Sequence, residues 1–213
     1  MLLNPLDQYI SRDLINIGTW ESYLYPVFQK NIKKGGCVLD IGANIGCHSL
    51  IFSKLVGKEG NVHCFEPLHD LYFQLTYNLI SNNCFNVTTY CNGVSDKPSS
   101  VFLTPLNLQK RDNFGARQLT GAKPVMDSNN TENIKIITID SLNLASSFIK
   151  IDAEGMEDKV LLGSKKTLEK HKPIILIEIH QDDMKKLSKI LDSLNYDIVQ
   201  RYPPWDYLAL YRK

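Results

Sequence analysis

Four short stretches carry the residues able to do chemistry. In CVLDIGANIGCHSL, an apolar run ends in Asp40 and gives way to a turn bracketed by Gly42 and Gly46. In VHCFEP a second run ends in Glu66, and in FIKIDAEGMED a third ends in Asp152, with Glu154 just beyond it. In IILIEIH a fourth carries Glu178 and His180. An acid without a partner at a buried strand end is costly, so Asp40 calls for a cationic group beside it. Glu66 follows the glycines by about twenty residues, the distance at which an acid accepts hydrogen bonds from both ribose hydroxyls. Backbone amides at the helix start after Gly46 suit an anionic group such as a carboxylate.

A nucleoside bearing an ammonium or a sulfonium satisfies these demands, and S-adenosylmethionine carries both charges. The spacing G-x-x-x-G lacks the third glycine of a dinucleotide fingerprint, which counts against a nicotinamide. Methyl transfer from a sulfonium is an in-line displacement, in which holding the reactants in line supplies on the order of 7–11 kcal/mol. An alcohol acceptor must also lose its proton, and a placed base contributes about 10²–10⁴ in rate. Strand alternation puts Lys150 and Asp152 on one face, and Glu178 and His180 on one face of the next strand. In a methyltransferase sheet these two strands neighbour each other and the first, so Asp40, Asp152 and His180 are expected around one crevice, with Asp152 or His180 as the base and Glu154 as a ligand for the acceptor hydroxyl. Structural roles stay open for several of these. Glu66 beside Pro67 also suits a helix start, His180 a hydrogen-bonded strand end, and Asn113 and Gly115 a turn. Glu157 and Asp158 read as capping acids. Trp205 packs on the sheet edge or stacks on a sugar, and Arg117 meets solvent or an anionic acceptor.

The elements that must position these residues follow from the hydrophobic pattern. Apolar runs at Val38–Leu39, Val62–Phe65, Val87–Cys91, Phe148–Ile151 and Ile174–Ile179 are short enough for strands and apolar enough to be buried on both faces. Between them, Leu71, Leu75 and Leu79, and then Met184, Leu187, Leu191 and Leu194, recur at helical spacing. This alternation predicts an α/β fold, a doubly wound and mostly parallel sheet with ligands outside the carboxyl ends of its strands. The runs Ile198–Tyr202 and Tyr207–Tyr211 flank a Pro-Pro-Trp-Asp loop and predict an antiparallel hairpin at one edge. Residues 1–33 read as a helical lead-in, and residues 99–133 as an irregular excursion over the site with one or two edge strands.

The 213 residues, 43% of them hydrophobic, suffice for one core, so a single domain spanning residues 1–213 is expected. A formal charge of +1 gives no field of one sign, and nucleic-acid partners are not expected. No apolar run is long enough to span a bilayer and no secretory leader opens the chain, so a cytoplasmic protein without membrane insertion is expected. The five cysteines show no C-x-x-C spacing, and neither zinc nor disulfides are expected; no metal site is read elsewhere.

The ordered set VLDIGANIG, VHCFEP, NFGA, IKIDAEGMED with VLLGS, and PIILIEIH resembles the FkbM-type S-adenosylmethionine-dependent methyltransferases from about Trp20 to His180. The resemblance implies a seven-stranded methyltransferase sheet ending in an antiparallel hairpin. It also implies that Asp40, Gly42, Asn44 and Gly46 contact the methionine half of the cofactor, Glu66 the ribose, and Asn92 and Gly93 the adenine. Members mostly methylate hydroxyls of sugars or secondary metabolites, so the expected activity is O-methyl transfer to a small-molecule or, foremost, a carbohydrate hydroxyl. Two other classes stay in view: a methyltransferase-like scaffold that binds no cofactor, and a nicotinamide-dependent oxidoreductase. Oligomeric state is not legible.

Overall fold

The computed structural model describes residues 1–119 and 131–212. The chain opens with two short helices, α1 (Ile10–Ile17) and α2 (Tyr25–Asn31), joined through a 3-10 turn at Ser22–Leu24. Two parallel crossovers follow: β1 (Cys37–Ile41), α3 (Cys47–Val56), β2 (Asn61–Phe65), α4 (His69–Ser81) and β3 (Val87–Tyr90). An interruption carries β4 (Gly93–Val94), β5 (Ser99–Leu103) and β6 (Glu132–Ile137). The alternation resumes with β7 (Phe148–Ile151), α5 (Glu157–Leu162), α6 (Lys165–His171), β8 (Ile174–Glu178) and α7 (Met184–Ser193), and closes with β9 (Tyr196–Tyr202) and β10 (Asp206–Tyr211).

Seven of these strands form one sheet in the order β3-β2-β1-β7-β8-β10-β9. The first five run parallel, and β10 pairs antiparallel with both β8 and β9, so the expected α/β sheet and its terminal hairpin are both present. The order reverses between β1 and β7, and the crevice above that point is where ligands bind in open α/β sheets.

Period-2 alternation sorts each strand between two layers of helices. Leu39, Ile41, Ile149, Ile151, Ile175 and Ile177 face α5, α6 and α7, whose Val160, Leu168, Leu187 and Leu191 complete that core. Val38, Val62, Cys64, Phe148 and Leu176 face the other way, against Phe28, Phe52, Leu75 and Leu79 of α2, α3 and α4. The helical stripes end up where their spacing puts them: Leu71, Leu75 and Leu79 are buried, as are Leu187, Leu191 and Leu194. Burying such a side chain contributes about 1.5–3 kcal/mol. On the α2–α4 face this apolar pattern stops at the carboxyl ends, where Val38 is followed two residues on by Asp40, Phe148 by Lys150, and Leu176 by Glu178. Charged groups there forgo that stabilisation and add desolvation, so packing does not account for them.

Among the described residues the excursion adds no strand to an edge of the main sheet. Its strands β5 and β6 pair antiparallel and, with β4, make a separate three-stranded sheet in the order β4-β6-β5. They separate because they have their own core: Leu103, Ile134 and Ile136 pack with Ile45, Leu68, Leu71 and Phe114, and with Leu6, Ile10 and Leu14 of the N-terminal segment. That segment is also held by backbone, the Gln8 N–H donating to the Asp112 carbonyl at 3.0 Å. Residues 120–130 of the excursion lie outside the described residues. Among the described residues no helix is long and apolar enough to cross a membrane.

Candidate active site

Strand register assembles the charged row at the sheet's carboxyl ends. Asp40 stands opposite Lys150 across the β1–β7 pairing, and Glu178 opposite Asp206 across the β8–β10 pairing. Just past β7, Asp152 accepts from Lys150 Nζ at 2.9 Å. Burial works against the charge on Lys150, yet Asp152, Asp40 and Glu21 outweigh it and hold the ammonium above its ordinary range. Burial likewise works against Asp152, but Lys150 and the carboxyl of Glu178 keep it ionised. Glu178 is pushed the other way by burial and by the charge of Asp152, so it keeps its proton and donates it to Asp152. One side of Asp40 accepts from Ser49 Oγ of α3 at 2.6 Å, while its Oδ1 is buried with no partner among the described residues.

The loop after β1 is shaped by backbone rather than by side chains. Gly42 has φ 82°, and a Cβ there would overlap the carbonyl oxygen of Asp152, so only glycine lets the β1 and β7 loops meet. Asn44 is left-handed at φ 50°, and its backbone N–H donates to Glu66 Oε2 at 3.0 Å. Glu66 Oε1 accepts from the Leu68 N–H at 2.9 Å. The carboxyl of Glu66 is thereby aimed by two amides, and burial pushes it up to about 7 against their pull. Gly46 has φ 89°, and Leu75 of α4 lies where its side chain would project. Its bareness therefore serves the packing of α3 on α4.

Two cavities meet at Gly42, Asn44, Gly115, Asp152 and Glu154. The first, about 580 Å³, runs from Glu66 and Leu68 along Asn92 and Gly93 to Arg117. The second, about 650 Å³, runs from Asp40 and Lys150 past Glu21, His48 and Glu178 to Tyr9, Trp20 and Asn113. Gly115 lines both cavities and Asn113 the second, on a turn of the excursion anchored by the intervening Phe114, which is 3% exposed in the third core. Three residues lining the cavities hold left-handed backbone without being glycine, Glu21 (φ 45°), Asn44 (φ 50°) and Glu154 (φ 49°), a strain that clusters at functional sites.

Of the residues expected from the sequence, Asp40, Gly42, Asn44, Glu66, Asn92, Gly93, Asp152 and Glu154 line the paired cavities. Gly46 and His180 do not. The His180 side chain is 53% exposed, its ring 5.2 Å from that of Trp205 and its Nε2 3.7 Å from Glu178 Oε1. Asp40 and Asp152 thus converge on one crevice while His180 stands at its outer rim. Glu157 Oε1 accepts from the backbone of Ala153 and Gly155, and Asp158 pairs with Lys186, both structural roles. The sequence did not single out Glu21, His48 or Asp206. Glu21 and His48 line the second cavity, while Asp206 is buried beside it and accepts from Tyr23 Oη at 2.8 Å. Asp206 and Glu178 were traceable from strand pairing at the hairpin, whereas Glu21 lies in a loop without periodicity to place it.

Residues 40–198 match the family model for the methyltransferase FkbM domain, about three quarters of the chain. The fold is similar to that of the methyltransferase FkbM from Methylobacillus flagellatus KT, with a TM-score of 0.59 at 22% identity over 83% of this chain. The match spans 43% of that protein's own length. It is similar also to a precorrin-6y C5,15-methyltransferase from Geobacter metallireducens GS-15 (TM-score 0.58, 11% identity, 92% of this chain and 93% of that one). Aeropyrum pernix fibrillarin, solved with natively bound S-adenosyl-L-methionine, matches over 89% of this chain and 73% of its own at TM-score 0.50 and 10% identity. No curated protein matches the chain. The matched segment opens at Asp40 and takes in Glu66, Asp152 and Glu178, while Tyr9, Trp20 and Glu21 of the crevice lie before it, and the chain belongs to the FkbM methyltransferase family.

Proposed function

We propose that the protein is an S-adenosylmethionine-dependent O-methyltransferase acting on a carbohydrate hydroxyl. The observation that carries the methyl-donor reading is Asp40 Oδ1, buried and unpartnered at the edge of a cavity whose lining holds five carboxyls and one lysine. Such a surplus of buried acid fits a ligand bearing an ammonium and a sulfonium. When bound, S-adenosylmethionine supplies an electrophilic methyl group on sulfur.

The chain's own residues bind, orient and exclude water. Glu66, with one amide on each oxygen, keeps lone pairs free for ribose hydroxyls. Asn92 and Gly93 line the far end of the first cavity, where a side chain on Gly93 would collide with Ile136 and Leu119. Asp40 faces the amino group, and Lys150 balances the acids when no cation is present. The second cavity supports the hydroxyl reading. Its outer wall joins the aromatic rings of Trp20 and Tyr9 to the amide of Asn113 and the carboxyls of Glu154 and Glu178. Carboxyl and amide oxygens accept from sugar hydroxyls, and an aromatic face packs on the apolar face of a sugar ring.

Calorimetric titration with S-adenosylhomocysteine, with NAD in parallel, tests the donor. Micromolar binding of the first and none of the second is expected; binding of NAD alone, or of neither, overturns the reading. Mass spectrometry of a panel of simple sugars and glycosides incubated with protein and S-adenosylmethionine tests the acceptor, and methylation confined to amines or carboxylates overturns the hydroxyl assignment.

A further inference from the structure

We propose that Glu21, presented by the left-handed turn before α2 and backed by the buried imidazole of His48, is the group that takes the proton from the acceptor hydroxyl. The inference rests on the reading of the crevice as a hydroxyl-methylating site and names a residue for a step that reading leaves unassigned.

The crevice has two sides. The cofactor residues follow β1, β2 and β3, ending at Glu66, Asn92 and Gly93. Glu21 lines the second cavity together with Asp40, and its charged neighbours Lys150, Asp152 and Asp206 stand on β7, just past it and on β10, across β1 from Glu66. It therefore stands away from the ribose and adenine residues, on the side whose Trp20, Tyr9 and Asn113 suit the acceptor. The other groups there are committed or absent. Asp152 is held by Lys150 and by Glu178, Glu178 already carries a proton, and His180 lies outside the cavity lining. Glu154 and Glu21 remain, and Glu154 sits where the two cavities join, beside the cofactor as much as the acceptor.

What distinguishes Glu21 is the imidazole behind it. His48 Nε2 lies 3.5 Å from Glu21 Oε2, its side chain is 6% exposed, and it has no hydrogen-bond partner among the described residues. Phe28 packs edge-on against the ring at 5.1 Å. Burial drives the imidazole down to about 3, so it is neutral and sets no charge of its own 3.5 Å from the Glu21 carboxyl. Burial likewise brings Glu21 up to about 7, suited to a base near neutral pH. The groups facing Glu21 are His48 and Cys47 from α3, Lys150 and Asp152 from β7 and its end, Glu178 from β8, Asp206 from β10, and Tyr23 on its own segment. In the step, Glu21 takes the hydroxyl proton as the acceptor oxygen bonds to the methyl carbon and the carbon–sulfur bond leaves its electron pair on sulfur.

The test needs no known acceptor. Sinefungin carries a primary amine where the methylsulfonium stands, so its ammonium reports on the carboxylate facing the transferring methyl, while S-adenosylhomocysteine lacks that group. Titrating both into the protein from about pH 6 to about pH 8 brackets the ionisation of Glu21. In the unmodified protein sinefungin should bind about ten- to a hundredfold tighter than S-adenosylhomocysteine at the upper end, as expected for one charge-assisted hydrogen bond. Glu21→Gln should lose that preference and its pH dependence while keeping its affinity for S-adenosylhomocysteine. Glu21→Asp, which shortens the reach by one methylene, should show a reduced preference and serves if the glutamine variant does not fold. A preference that survives in full at Glu21→Gln or Glu21→Asp overturns the proposal. Equal loss of both ligands in a folded Glu21→Gln also overturns it, because Glu21 would then hold the part they share. Failure of either ligand to bind the unmodified protein overturns the cofactor reading and this proposal together.

Discussion

Lys150 Nζ lies 2.9 Å from Asp152 Oδ2 and one strand register from Asp40, which makes it the cation on which the acids of the second cavity depend. It is 4% exposed, and among the described lining residues of that cavity it is the one cationic side chain, His48 being neutral. Lys150→Met should therefore cost about 3–5 kcal/mol, the range for breaking a buried ion pair from one side. The Lys150→Met, Asp152→Asn double variant should recover part of that loss, since the orphaned charge goes with its partner. Urea unfolding at neutral pH measures both; additive losses would mean the pair is not coupled.

Much of this site was legible because it stands on strands. Asp40, Glu66 and Asp152 each end an apolar run, and the period of 2 put Lys150 beside Asp152 before any coordinates. His180 obeyed the same period with Glu178 but sits two residues further out, past the last residue of β8, where the chain turns away toward Trp205. Glu21 and His48 escaped notice for a different reason. Their proximity is set by the docking of the N-terminal segment on α3, a long-range packing event that leaves no local pattern. The excursion failed for a related reason, because whether β5 joins the main sheet or its own depends on which apolar face it finds.

The raised acids predict an unusual pH profile for the ligand-free protein. Glu66 moves from 4.5 to about 7 on folding, so between those values the folded state holds a proton the unfolded chain has released. Stability then falls as pH rises through that window, by about 3 kcal/mol for a shift of this size at a fully buried group. Glu21 and Glu154 shift the same way, whereas Asp152, held below its ordinary value, acts only at more acidic pH. Denaturation curves at pH 5 and pH 8 should show the ligand-free protein more stable at the lower value, with Glu66→Gln flattening the difference. A protein that gains stability across that interval would contradict the burial of these carboxyls.

The two glycines of the first loop should differ in what they tolerate. At Gly42 a Cβ meets the Asp152 carbonyl, which is backbone and cannot yield without separating β1 from β7. At Gly46 the obstacle is Leu75 Cδ1 at 2.8 Å, the free end of a flexible side chain. Both positions add the cost of a left-handed alanine, about 1–3 kcal/mol. Gly42→Ala should thus be the more damaging in thermal unfolding and should abolish S-adenosylhomocysteine binding. Gly46→Ala should lose stability but retain measurable binding, and the reverse order would mean that Gly46 contacts the ligand directly.

Phe114 and Phe102 offer a comparison between anchoring the Asn113–Gly115 turn and merely decorating the small sheet. Phe114 is 3% exposed and places Gly115 against Asn44, whereas Phe102, on β5, is 51% exposed. Phe114→Ala should cost about 3–5 kcal/mol, as for other buried phenylalanines. Phe102→Ala should stay within about 0.5 kcal/mol, as for an exposed surface position. The functional consequence differs from the energetic one. With its anchor gone, the Asn113–Gly115 turn no longer closes over the junction of the two cavities, so S-adenosylhomocysteine affinity should fall in Phe114→Ala even where the protein remains fully folded. Titration at low temperature, well below the variant's own unfolding transition, separates the two effects. Affinity equal to that of Phe102→Ala under those conditions would show that the turn contributes to folding alone, and that the cofactor is held from the strand side by Asp40 and Glu66.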